Sequence, residues 1–221
     1  MSEPPDLFDR SNPDGVFATL RKLEDVLQLP TGFCEGLFRE DDWSFIIKLH
    51  ALCETALTEL LVRHTRTEKL RDAFAELEMS RAGTGKIAFA EAFGILDKED
   101  RRYLRALSEI RNRLVHRVQN VSFTLTNYVS GLDSNQRAKF IKAMAHLDED
   151  TEEVGTHILA EPKSGIWIAG LFVVAMMMQR IEQADLIKQV DENVKKAAAR
   201  LVELTPLMRG FMEYQRFNEL E

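Results

Sequence analysis

KEDRRYLRALSEIRNRLVHRV, residues 98–118, decides the fold of this chain. Leu104, Leu107, Ile110, Leu114 and Val118 recur at three- and four-residue spacing, the period of an α-helix with one apolar face. Asp97 precedes the run as an N-cap and Asp100 follows three residues later, which makes a capping-box-like start. The same period governs the flanking sequence. Asp41 and Asp42 cap a second strong run through Trp43, Ile46, Leu49, Leu52, Leu57, Leu60 and Leu61, and residues 16–29 repeat apolar positions at helical spacing up to Pro30.

Shorter helices are predicted over 69–77, 86–94 and 134–147, with a loop at 80–85 that reverses the chain. Residues 121–129 alternate more like an extended segment, and 148–153 is an acidic connection. Residues 165–178 are about fourteen uncharged, mostly apolar positions, short of the roughly twenty that cross a bilayer, so they read as a buried core or dimer helix. The continuation over 179–204 turns amphipathic and charged until Pro206, with a last short helix beyond. The expected fold is all-α, a bundle of about seven to eight helices. Its divisions are a disordered tail over 1–14, a helical domain over 15–147, and a C-terminal helical extension over 148–221 packing on the same core.

At 221 residues with 45% hydrophobic and 29% charged residues, the chain can bury a real core, and its 11 glycines and 6 prolines are few. The two cysteines, Cys34 and Cys53, make no disulfide framework and have no metal-ligand spacing, so buried reduced thiols are expected. The polar start with Pro4, Pro5 and Pro13 lacks the features of a signal peptide, and a cytoplasmic location without membrane attachment is expected. No metal or cofactor is expected, because there is no short-spaced cysteine pair, no His-Glu-x-x-His and no calcium-loop register over 148–153, and the Gly-x-Ser-x-Gly elbow of a serine hydrolase is absent as well. The loop ending in Gly85-Lys86 departs from a phosphate-binding loop at Ser80 and Ile87, so a glycine-hinged turn suffices. The methionines at 176–178 read as packing.

Net charge is −7, against a nucleic-acid-coated surface, yet residues 98–117 carry seven basic side chains against Glu99, Asp100 and Glu109. That local excess of +4 leaves −11 for the remainder. Arg101, Arg102, Arg105, Arg113 and Arg117 are thus candidates for contact with RNA or an acidic partner, the alternative being a solvated arginine face. On a helical wheel Arg105, Glu109, Asn112 and His116 form a stripe away from the apolar face. Arg111 lies on the other flank and reaches that cleft only if a neighbouring helix or second subunit meets it.

Arg111-Asn112-x-x-x-His116 near a helix end, after a long apolar helix and a short loop, resembles the signature of the HEPN superfamily of small helical-bundle proteins. The stretch from Gly83 to His116, which includes AFAEAFGILDKEDRRYLRALSEIRNRLVH, is also similar to the mannitol-operon-repressor family. Together the resemblances cover residues 42–123. They imply a HEPN-like core, a homodimer that pairs two motifs, and either of two functions. One is metal-independent RNA cleavage of toxin or defence type, with His116 as general acid or base, Arg111 stabilising phosphate charge, Asn112 orienting them, and Glu54 as a supporting partner from the long helix. The other is a non-catalytic regulator that acts through a protein partner. No basic recognition helix follows a tight turn, so sequence-specific DNA binding is not expected.

Overall fold

A computed structural model describes residues 16–115, 123–145 and 152–218. Among them the regular structure is entirely helical, and the all-α expectation holds. The chain divides into two compact units, Met1–Ile181 and Glu182–Glu221.

The first unit is organised on α3 (Asp42–Thr65). Asp41 caps it as expected, accepting from the backbone N–H groups of Trp43 and Ser44 at 3.0 Å each. Its apolar positions are so continuous that Phe45, Ile46, Leu49, Leu52, Cys53, Leu57, Leu60 and Leu61 are all buried, which fits a helix surrounded by neighbours. It packs against α2 (Phe33–Leu37), α4 (Arg71–Ala75), α5 (Lys86–Ala92) and α6 (Lys98–Val115). Helix α1 (Val16–Val26) stops earlier than Pro30 because Gln28 turns into the left-handed region at φ 54°. The buried Glu24 carboxylate on α1 then accepts from the N–H groups of Gly32 (2.7 Å) and Cys34 (2.8 Å), satisfying donors at the start of α2. Burial, with the Glu24 charge adding to it, pushes the Cys34 thiol up to about 12, and burial does the same to Cys53.

The reversal before α5 depends on Gly85. A Cβ there would lie 2.6–2.8 Å from Arg81 N, Arg81 O and Glu78 O, closer than a side chain tolerates. The amides of Gly85, Lys86 and Ile87 bond to Arg81 O, Glu78 O and Met79 O. Donors that a bound phosphate would need are thereby already committed.

Helix α6 buries Tyr103, Leu104, Leu107, Ile110 and Leu114, the stripe read from the sequence. Its start keeps one half of the capping box, the Asp97 N–H donating to Asp100 Oδ2 at 3.3 Å. Residues 116–122 lie outside the described residues, so the end of the motif helix is described only to Val115.

The extended reading of 121–129 is corrected over its described part: Leu125–Ser130 is helix α7. Thr124 caps it, its hydroxyl accepting from Asn127 N at 3.2 Å, and Leu125 N donates to Asp42 Oδ2 at 2.8 Å. Leu125 and Val129, four residues apart, point into the core together. Helices α8 (Ser134–Met144), opened by a full capping box of Asp133 and Gln136, and α9 (Glu152–Ala160) complete this side. Residues 146–151, most of the acidic connection, lie outside the described residues, while Glu152 and Glu153 open α9.

Helix α10 runs Pro162–Asn218, through Pro206 rather than stopping before it. A proline inside a helix removes one backbone donor, and here the helix continues across that gap. Within the first unit Ile166, Ala169, Val173, Val174 and Met177 are buried, so the apolar run serves the core. Gly170 lets it approach closely, since a Cβ there would meet Tyr103 Oη at 2.5 Å and Leu49 at 3.2 Å. By length and composition this helix is apolar enough to cross a membrane, but 56% of its most apolar window is buried inside the protein.

Candidate functional site at the junction of α3, α5 and α6

One turn of α3 places His50 and Glu54 on the same side of the helix, facing α6 and the start of α5. Lys86, the first residue of α5, is buried, and its Nζ donates to Glu54 Oε1 at 2.8 Å and to Ala75 O at 3.3 Å. Glu54 Oε2 lies 3.8 Å from His50 Nδ1. The other ring nitrogen, Nε2, is 3.4 Å from the Ser108 hydroxyl, which donates to Leu104 O at 2.8 Å. A polar chain therefore runs from Lys86 through Glu54 and His50 to Ser108 across three helices, mostly shielded from water.

Burial drives the His50 pKa down to about 4; the Glu54 charge pulls it up, and Arg111 and Lys86 add to the depression. His50 is accordingly neutral at physiological pH. Arg111 thus opposes protonation of His50 through its charge. Its side chain is half-buried, and its Nη1 donates to Asn112 Oδ1 at 3.1 Å, with Asn112 itself exposed. The wheel separates the two residues, and the length of the arginine side chain brings them together again.

The other arginines of α6 engage neighbours. Arg101 donates to Leu96 O at 2.8 Å and pairs with Glu91 at 3.3 Å, and Arg105 pairs with Glu91 at 3.1 Å. Arg102 reaches Lys142 O at 3.2 Å and Glu99 at 3.5 Å. Arg113 lies 5.3 Å over the Tyr128 ring. Burial raises the Tyr128 pKa and the Arg113 charge opposes that rise. His116 and Arg117 lie outside the described residues. Beside Arg105 and Glu109, a cavity of about 660 Å³ opens between α6, α5 and the turn at Arg81 and Gly83, with Glu91 on its wall. Its charged lining is balanced, arginines against glutamates.

The structure thus places Glu54 in the buried cluster with Lys86 and His50 and joins Arg111 to Asn112, while Arg101, Arg102, Arg105 and Arg113 lie along the rest of α6. His50, Lys86 and Ser108 were missed from the sequence. His50 had a signal, since it falls four residues after Ile46 and three before Cys53, on the buried stripe of α3. Among the described residues no group of three or more His, Cys, Asp or Glu side chains is placed to hold a metal ion. No family model, curated protein or solved structure matches the chain.

Proposed function

We propose that this chain is a metal-independent endoribonuclease of the HEPN type, acting on RNA in the cytoplasm as a toxin or defence enzyme. The position of Arg111 carries the reading. Its half-buried guanidinium is bonded to the exposed Asn112 at the edge of the buried face of α6, and its charge opposes protonation of the buried His50. A phosphate approaching that edge meets a cation held in place by a neighbouring amide, which is the arrangement that stabilises charge developing in a transition state. In this mechanism Arg111 neutralises the phosphate, Asn112 orients the guanidinium, and His116 transfers the proton as general acid or base. Glu54 supports the site at one remove, through Lys86 and His50. A homodimer brings two motifs together into one cleft.

The test is incubation of the purified chain with mixed RNA in the presence of a chelator. Cleavage is expected, reduced about 100-fold or more by His116→Ala and by Arg111→Ala. Intact RNA, or cleavage indifferent to His116→Ala, overturns the proposal.

A second reading is a non-catalytic regulator, similar to the mannitol-operon-repressor family, that acts through a protein partner. It is favoured by the pairing of Arg101, Arg102 and Arg105 with the chain's own carboxylates and carbonyls, which leaves less of the basic face for a phosphate backbone. Specific recovery of a protein from a pull-down, with no RNA fragments in the eluate, selects this reading.

A further inference from the structure

Within Glu182–Glu221, helix α10 presents Leu186, Ile187, Val190, Val194 and Leu201 with 54–66% of each residue exposed. Ile187, Val190, Val194, Ala197 and Leu201 fall at alternating three- and four-residue steps, and Leu186 and Ala198 widen the same side. An apolar stripe at that spacing on an exposed helix is the seam along which another helix packs, knobs into holes.

The charges indicate what packs there. Residues 182–201 carry four acidic and four basic side chains, so the helix has no cationic face to draw it to anionic lipid or nucleic acid. The signs are segregated along its length. Residues 182–192 hold Glu182, Asp185, Asp191 and Glu192 with Lys188 alone opposing them, net −3, whereas 193–201 hold Lys195, Lys196 and Arg200, net +3. An identical helix laid antiparallel sets the acidic half of each against the basic half of the other, while parallel pairing sets like against like. Two-fold symmetry then makes the contact self-complementary and closed.

We propose that this stripe is the docking surface for a second copy of the chain, forming an antiparallel two-helix seam centred near Val194. Both this proposal and the nuclease reading expect two copies of the chain, but every residue of this seam lies in Glu182–Glu221, away from the motif in the sequence, so loss of the dimer in Val190→Glu with Val194→Glu tests the seam alone.

The experiment is light scattering on the full chain at micromolar concentration, with oxidative cross-linking of single-cysteine variants. The expected mass is twice the 25.3 kDa of one chain. Val190→Glu with Val194→Glu is expected to return the mass to that of one chain while helix content by circular dichroism stays unchanged. Ile187→Cys and Leu201→Cys chains are expected to cross-link when mixed and not when oxidised alone. A monomeric wild-type chain overturns the proposal, whether or not it is retained by anionic vesicles. So does a dimer that survives both glutamates, or one in which Ile187→Cys cross-links to itself.

Discussion

Acidification should weaken this protein through His50 before its carboxylates begin to titrate. Burial lowers the His50 pKa from 6.5 to about 4 in the folded chain. The unfolded chain therefore takes up a proton first, so stability falls as pH drops below about 6.5, and the loss levels off below about 4. At about 1.4 kcal/mol per unit the full loss is about 3 kcal/mol, of which about 2 kcal/mol is incurred by pH 5. That is a large share of the roughly 5–15 kcal/mol that holds a domain folded. The assay is urea denaturation across pH 4–7 of the wild type and His50→Gln. Glu59 has a lowered pKa because its bonds to Arg71 and Arg63 outweigh its burial, and Asp41 a lowered one through Ser44. Both titrate alike in the two proteins and cancel in the difference. Relative to His50→Gln, the wild type is expected to lose about 2 kcal/mol between pH 7 and pH 5. The imidazole resonances of His50 should titrate near 4. A midpoint at 6 or above, or a pH-independent difference, refutes the argument that the ring is buried and neutral.

Lys86→Met should raise the His50 midpoint, because it removes a cation that now opposes protonation, and nuclear magnetic resonance titration reads the shift. Gly170→Ala gains about 1 kcal/mol of helix propensity but drives a methyl against the Tyr103 hydroxyl and Leu49. The expected net loss is about 1–2 kcal/mol in urea melts, since the displaced hydroxyl also gives up its 2.9 Å bond to Ile166 O. Arg180→Leu strips the buried Asp100 of a 2.6 Å ion pair and should cost about 3 kcal/mol by the same measurement. Adding Asp100→Asn to that variant should recover part of the loss.

Helix spacing and caps were legible because both are local: Asp41 bonds two and three residues ahead, and the buried stripe of α6 needs no neighbour to be recognised. Helix α7 was misread because its β-branched and aromatic residues match a strand, while a decisive support is Asp42, 83 residues away. The site divides the same way. The HEPN resemblance named Glu54, Arg111 and Asn112, and of these the structure sets Glu54 against Lys86 and His50 and bonds Arg111 to Asn112. Lys86 drew notice only as part of a glycine-rich loop, and its burial against Glu54 depends on the docking of α5 on α3. The charge count of α6 was correct, but Glu91, which pairs with Arg101 and Arg105, sits on another helix and entered no local sum. Long-range pairing is what a periodicity argument leaves out.

Cys34 and Cys53 give the molecule a clock. With both thiols pushed up to about 12 and fully covered, the reactive thiolate at pH 7 amounts to about one part in 100,000, and no reagent reaches it without an opening of the chain. Alkylation of the wild type therefore counts openings of the core rather than collisions with its surface, and peroxide spares these sulfurs for as long as the fold is closed.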